Sequence, residues 1–219
     1  MRKNILFLFS LFLFVMSISG VNTVYSGDKH MMVSPTSATK AADVRVALNS
    51  LLREHVFLAT SATGAALAGR SEEFKSAAQA LDGNSVDIAN AIGSVYGKDA
   101  GEAFLPLWRK HIGFFVDYTT GVATKDEAKQ EKAVNDLLGY TKDFAAFLNS
   151  ASPSLPLDTV ASLSKTHVIT LKAVVDIQAT GDSAGAYQAI RKAAAHMQNI
   201  ADPLAEAIVQ QFPQTYASR

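Results

Sequence analysis

The chain carries one hexapeptide pattern three times, as LLREHV at residues 51–56, LWRKHI at residues 107–112 and LSKTHV at residues 163–168. Each copy ends in a histidine followed by a β-branched residue, and His55, His111 and His167 are separated by equal steps of 56 residues. Self-similarity at a fixed period is typical of repeated supersecondary units. The spacing therefore predicts three helical hairpin repeats of about 56 residues, which we place at 41–97, 98–153 and 154–212.

On both sides of these copies, from residue 41 to residue 212, the apolar residues recur with a helical period. Leu48, Leu52 and His55 share one face of the first helix, and no stretch alternates between apolar and polar residues as a strand would. We predict an all-α, up-down helical bundle of about six helices. Two interruptions are expected, one at Asp82-Gly83-Asn84 and one at Asp202-Pro203, which resembles a new N-cap and first turn.

The amino-acid composition argues against several classes of binding partner and functional site. The 219 residues include 20 basic and 20 acidic side chains and no cysteine, and 48% are hydrophobic. A balanced charge argues against a nucleic-acid partner, because such binding depends on clustered Lys and Arg. Without cysteine there is no disulfide, thiolate metal site or cysteine nucleophile. Any metal site must use histidine, carboxylate or methionine.

The N-terminus has the features of a secretory signal. Arg2 and Lys3 precede a mostly apolar run at 5–18, and small residues follow, so we predict a signal peptide at 1–26 with cleavage after Ser26. The run is shorter than the roughly 20 residues of a bilayer span, although an uncleaved anchor is the alternative. The prediction is a secreted protein with no stable membrane span after cleavage, a disordered leader at 27–40, a bundle domain at 41–212 and a tail at 213–219.

Four histidines lie on apolar helical stripes, and we predict that they form a metal site: His55, His111, His167 and His196. His167 and His196 are each about fourteen residues from the turn at Gly181-Asp182, so the two should stand at one level of an up-down bundle. Glu54 can turn toward the same site. The alternatives are separate neutral core histidines and, for Glu54, a solvated carboxylate.

Other polar residues have weaker claims. Asp117 and Tyr118 lie two turns beyond His111, and Tyr140 occupies the place in the second hairpin that His196 holds in the third. Met197 is expected in the core. His30 would suit a copper(II) site at a free N-terminus only if cleavage followed Gly27 instead of Ser26.

Known catalytic patterns are missing from the sequence. No acidic residue stands three positions before a core histidine, as a di-iron site requires, and there is no His-Glu-x-x-His. No serine lies in a nucleophile-elbow context. We therefore expect a binding protein more than an enzyme.

Residues 48–60, 94–118 and 205–213 resemble a group of secreted helical proteins of Bacillus-like bacteria, most specifically in the segment W-x-x-H-I-x-x-F-V-D-Y at 108–118. Some members of that group carry a copper amine oxidase label. The resemblance implies a secreted helical bundle and copper. It does not imply oxidase chemistry, because the chain has no Asn-Tyr pair from which the oxidase quinone forms.

The sequence thus favours a secreted protein that binds a transition metal, copper or zinc, through histidines in the bundle core. Two alternatives remain open: an extracellular interaction module whose histidines are merely packed, and a metalloenzyme with an open coordination position. Histidines within ligand distance of one another would favour the metal-binding protein over the interaction module. Three or four protein ligands on the metal would distinguish a metalloenzyme from a metal-binding protein. The sequence identifies no protein partner.

Overall fold

The computed structural model describes residues 39–216. These residues form seven helices: α1 (Lys40–Leu67), α2 (Ser71–Tyr96), α3 (Lys98–Thr124), α4 (Glu127–Ala151), α5 (Leu157–Thr180), α6 (Ser183–Gln211) and the short α7 (Pro213–Tyr216). The predicted all-α bundle of about six long helices is confirmed, and no strand occurs in this part of the chain. The predicted tail begins with a helical turn, α7. The predicted signal peptide, most of the leader and His30 lie outside the described residues.

The six long helices form a closed ring. Each packs on the next along the chain, and α6 returns to pack on α1. In addition, α1, α3 and α5 contact one another, whereas α2, α4 and α6 make no comparable contacts among themselves within residues 39–216. The first set is therefore the inner set and the second is the outer set. Because the hairpins run up and down, the three inner helices are parallel.

A single principal core joins all six long helices. It contains residues from inner and outer helices alike, among them Leu52, Trp108 and Val168 from the inner set and Leu137 and Met197 from the outer set. Each fully buried side chain of this size contributes about 1.5–3 kcal/mol relative to an exposed one. The inner helices contribute their histidines to the same core, so the packing that stabilises the bundle also positions the site.

The turns of the three hairpins share a backbone feature. Gly69, Lys125 and Gly181, each fourteen residues after its histidine, have φ angles of 69°, 57° and 79°. This left-handed conformation commonly ends a helix, and glycine adopts it most easily. The middle hairpin therefore turns in the same way as the other two although it has lysine at this position.

The predicted interruption of α2 at Asp82-Gly83-Asn84 is wrong, because α2 is continuous from Ser71 to Tyr96. Asp and Asn usually disfavour helix interiors by bonding to nearby backbone. Here their side chains have distant partners. The Asp82 carboxylate accepts two hydrogen bonds from Arg109 of α3 at 2.7 and 2.8 Å, and Asn84 donates to the Leu51 carbonyl at 3.0 Å.

The predicted new helix start at Asp202-Pro203 is also wrong, because α6 continues through Pro203 to Gln211. The Asp202 carboxylate does not act as an N-cap. It accepts hydrogen bonds from Asn49 of α1 at 2.8 Å and from Gln198 at 3.2 Å. The contact with α1 holds α6 in place at the residue before the proline.

Candidate metal centre

Three of the predicted histidines meet at the centre of the bundle. The ring centroids of His55 and His111 are 5.3 Å apart, those of His55 and His167 are 5.7 Å apart, and those of His111 and His167 are 6.4 Å apart. The three residues are 1%, 2% and 6% exposed, so the triad is buried inside the bundle. Equal spacing on three parallel inner helices brings the residues to one height, and we call them the histidine triad.

The triad has the dimensions of a metal site. Each ring offers one nitrogen, and the three nitrogens lie within 4.8 Å of one another. The Nε2 atoms of His55 and His111 are 3.4 Å apart. Two nitrogens at about 2.0–2.1 Å from a tetrahedral ion would be about 3.3 Å apart. The pair is thus already at the separation of two ligands, and it is longer than a typical N–H···N hydrogen bond.

Most nitrogens of the triad have no hydrogen-bond partner. These are Nδ1 of His55, Nδ1 of His111 and both ring nitrogens of His167. An unsatisfied buried polar atom costs about 1–3 kcal/mol, and native proteins rarely contain several together. Coordination to a metal would satisfy at least one nitrogen of His167, so the residues fit a bound ion.

The electrostatics of the triad favour the ligating form. Burial lowers the pKa of all three imidazoles, and repulsion from a neighbouring imidazole lowers each further. The pKa of His111 falls to about 3. The rings are therefore neutral at pH 7, which is the protonation state that binds a metal ion.

Aromatic rings hold the triad in place. Trp108 packs edge-on against His55 and His111, with centroid distances of 4.9 and 4.5 Å, and Tyr140 stacks on His111 at 5.0 Å. Metal-bound histidines usually donate their second N–H to an acceptor, but Nδ1 of His55 and of His111 has none. Packing against the aromatic rings therefore helps to orient the imidazoles.

The structure does not bring His196 into the triad. Its Nε2 lies 2.9 Å from the carbonyl oxygen of Leu163, one turn before His167, and Nδ1 lies 3.5 Å from Asn199. His196 therefore lies within about one helical turn of the height of His167, close to the height that the sequence predicts. The difference arises because the His196 ring lies against α5, where the Leu163 carbonyl contacts its Nε2. The predicted set of four converging imidazoles is corrected to three.

Glu54 also lies outside the triad. Its side chain is exposed, and Oε2 accepts a hydrogen bond from Asn84 at 2.9 Å. The Glu54 carboxylate therefore helps to hold the segment Asp82-Gly83-Asn84 of α2 against α1. Asp117 pairs with Lys129, and the Tyr118 hydroxyl donates to Asp176 at 2.5 Å, so neither contacts the site.

A cavity beside the triad was not visible in the sequence. It has a volume of about 350 Å³, and His55 and His111 form part of its wall. The remaining wall comes from residues of α1, α2, α3 and α5 that are far apart in the sequence. No local pattern marks such a cavity, because each wall residue also reads as an ordinary member of an apolar stripe.

Comparison with protein-family models, with curated proteins and with solved structures finds no match to this chain. Within the described residues, no helix combines the length and apolar character needed to cross a membrane. The assignment of function therefore rests on the residues and geometry of the site.

Proposed function

We propose that this protein binds one transition-metal ion, copper or zinc, through His55, His111 and His167. One observation carries the proposal: three buried, neutral imidazoles offer nitrogens within 4.8 Å of one another, and most of their nitrogens have no other partner. Packed histidines without a metal role normally have hydrogen-bond partners. The interaction-module alternative leaves both ring nitrogens of His167 without a partner, whereas a bound metal would satisfy one of them.

The donor set supports copper or zinc. Imidazole nitrogen suits both metals, and affinity in the divalent series peaks at copper. No carboxylate belongs to the group of ligand atoms, which makes the hard, oxygen-preferring ions Mg²⁺ and Ca²⁺ poor occupants. The ion would keep its full charge inside the bundle, so a monovalent copper ion would need less charge compensation than a divalent ion.

Elemental analysis after loading and dialysis tests the proposal. Wild-type protein should retain one equivalent of zinc or copper, and His55→Ala, His111→Ala and His167→Ala should each retain less than about a tenth of that amount, because ligand loss typically weakens binding severely. His196→Ala is the matched control. It removes a partly buried imidazole that lies outside the triad, and it should retain the full equivalent.

Two results would contradict the proposal. One is a folded wild-type protein that retains neither metal. The other is a loss of metal in His196→Ala equal to the loss in the triad variants, which would point to binding elsewhere or to a four-histidine site. Circular dichroism of every variant separates loss of ligand from loss of fold.

The number of ligands favours a second candidate function. Three histidines leave the fourth position of a tetrahedral ion open, as in catalytic zinc sites, whereas a closed storage site would have four protein ligands. A bound water at this position would ionise more readily. Assay of the zinc-loaded protein for hydrolysis of activated esters, with His167→Ala as the control, tests this candidate.

We also propose that the protein works outside the cytoplasm, in metal buffering, delivery or resistance. The support is the sequence at residues 1–26, which has a basic start, an apolar run and small residues before Gly27. N-terminal sequencing of protein recovered from the culture medium should begin at Gly27. A protein found only in the cytoplasm with Met1 retained would contradict this part.

A further inference from the structure

The cavity beside the triad reaches from the buried core to the surface. His55, His111 and Leu81 at one part of its wall are buried, whereas Val116 and Thr120 are exposed. Its volume of about 350 Å³ is roughly twice that of an engineered apolar cavity of about 150 Å³ that binds benzene. The outer part of the cavity therefore lies beside Val116, and a small molecule in its inner part would lie against the rings of His55 and His111.

The wall has no charged group. It consists of aliphatic side chains, Phe74, Phe115, four threonines and the two histidines. The hydroxyls of Thr60, Thr119 and Thr120 donate to carbonyls of their own helices at 2.7–3.1 Å. The fourth, Thr63, lies within hydrogen-bond distance of Gln178 at 2.8 Å. The cavity thus offers methyl groups and rings to a ligand, and it has no cation or anion to neutralise a ligand charge.

The two histidines are the exception to this apolar character. They belong to both the triad and the cavity wall, whereas His167 does not line the cavity. A metal ion held by the triad would therefore face the cavity only on the side of His55 and His111. Three protein ligands leave one position for an external donor. Nitrogen is the donor type that the triad already supplies and that copper and zinc accept readily.

We propose that this cavity binds a neutral, mainly hydrocarbon molecule that carries one nitrogen lone pair and places that nitrogen in the fourth coordination position of the metal. The inference rests on the proposed metal site. Apolar contact with the wall provides the affinity, and the wall residues carry no charge that would pair with an ionic group on the body of the ligand. The single open position limits the ligand to one donor atom.

Two probes separate the contributions of the cavity and the metal. Toluene has a hydrocarbon body without a donor, and 4-phenylimidazole adds a neutral azole nitrogen. In calorimetric titrations, toluene should bind the zinc-loaded and metal-free proteins equally. The Kd of 4-phenylimidazole should be at least about tenfold lower for the zinc-loaded protein, which corresponds to about 1.4 kcal/mol. In the cobalt-loaded protein, only 4-phenylimidazole should change the visible spectrum while cobalt remains bound.

A variant at the cavity mouth gives an independent check. Val116 is 46% exposed, so Val116→Trp can obstruct the entrance without disturbing the core. It should weaken binding of both probes at least about tenfold. Ile169→Trp is the matched control, because Ile169 is a β-branched helical residue with 52% exposure that does not line the cavity. It should leave both Kd values within about twofold of wild type.

The outcomes distinguish the two proposals. Metal retention without binding of either probe, or probe binding unaffected by Val116→Trp, overturns the cavity inference and leaves the metal site standing. Toluene binding with no preference of 4-phenylimidazole for the zinc-loaded protein overturns the fourth-position ligand. Failure to retain any metal overturns the metal site and the coordinated ligand together, and the toluene titration then shows only an apolar cavity.

Discussion

Each imidazole of the triad is held in a neutral, poorly hydrogen-bonded state by its surroundings. Burial is the largest cause of the lowered pKa values, and the nearby imidazoles add to it. The unsatisfied nitrogens make the metal-free protein less stable than a fully apolar core would be. A bound metal would offset part of this cost, because it would coordinate one nitrogen of each imidazole, including one of the two unpaired nitrogens of His167.

The lowered pKa values predict acid sensitivity of the metal-free protein. In the unfolded chain the histidines titrate near about pH 6.5. Because the folded pKa values are lower, the unfolded state binds more protons below that pH, and stability falls as the pH decreases. Each histidine should contribute a slope of up to about 1.4 kcal/mol per pH unit between pH 6.5 and its folded pKa. Urea unfolding with a chelator present, from pH 5 to pH 8, measures the slope.

His167→Leu provides the control for this prediction. It removes one titrating imidazole whose two nitrogens have no hydrogen-bond partner, so the pH slope should decrease by up to about 1.4 kcal/mol per pH unit. A wild-type stability that is equal at pH 5 and pH 7 would contradict the buried, neutral triad.

Two buried tyrosines should respond differently to loss of the hydroxyl. The Tyr140 hydroxyl is buried without a partner, whereas the Tyr118 hydroxyl donates to Asp176 at 2.5 Å. Tyr140→Phe should therefore leave the metal-free protein unchanged or stabilise it by about 1 kcal/mol. Tyr118→Phe should destabilise it by about 1–3 kcal/mol. Thermal unfolding of both variants measures the difference, and equal destabilisation would show that Tyr140 has a partner in solution.

The identity of the site residues could be predicted only in part. The equal spacing of His55, His111 and His167 identified all three. Equivalent positions of the three hairpins lie at the same height in the bundle, and the apolar period places each histidine on the buried face of its helix. His196 has the right height but a different position around the bundle. Glu54 is exposed, as the alternative of a solvated carboxylate predicted, and its hydrogen bond with Asn84 of another helix is one that no local pattern indicates.

The first helix of each hairpin is followed at its C-terminal end by a residue with a left-handed backbone conformation. Lys125 adopts φ 57° at the end of α3, where the other two hairpins have glycine. A left-handed residue with a side chain is strained by about 1 kcal/mol. Lys125→Gly should therefore raise the free energy of unfolding by about 0.5–1 kcal/mol.

Lys142→Gly is the control for this change, because Lys142 is exposed and lies in the interior of α4. Glycine there should destabilise the protein by about 1 kcal/mol. Urea unfolding at pH 7 compares the two variants. Destabilisation by Lys125→Gly would show that the lysine side chain makes a contact that outweighs the backbone strain.

The helices themselves could be predicted from apolar period, but their interruptions could not. Asp82-Gly83-Asn84 and Asp202-Pro203 have the composition of helix ends, and local preference alone would stop α2 and α6 there. Both helices continue because their polar side chains bond to neighbouring helices: Asp82 to Arg109, and Asp202 to Asn49. Tertiary contacts of this kind are made by residues far apart in the sequence.

At the scale of the whole molecule, the division into inner and outer helices explains why the site has three ligands. The three repeat-equivalent histidines lie on α1, α3 and α5, which contact one another. Alternation of inner and outer helices around a closed ring allows one histidine from each hairpin to reach the centre. The 56-residue spacing predicts equal heights, but it does not say which helices are inner. That the three hairpins are repeats of one unit stays a prediction.

Because the triad joins all three hairpins, a bound metal should stabilise the molecule as a unit. An ion that binds only the folded state stabilises it by about 4 kcal/mol at a free concentration a thousandfold above Kd. For a bundle of this size, that corresponds to a rise in Tm of roughly 8–16 °C. Thermal unfolding with and without zinc, at pH 7.5, measures the rise.

The same measurement on variants tests whether the three histidines act on one ion. His55→Ala should abolish most of the zinc-dependent rise, and adding His167→Ala should abolish little more, because residues that share one ligand are strongly non-additive. Without zinc, each change should show its own packing effect. His196→Ala should keep the full zinc-dependent rise, because its imidazole bonds to the Leu163 carbonyl outside the triad. Two equal, additive losses of the zinc-dependent rise in the single variants would mean that α1 and α5 carry separate sites, and the ion would then not link the three hairpins.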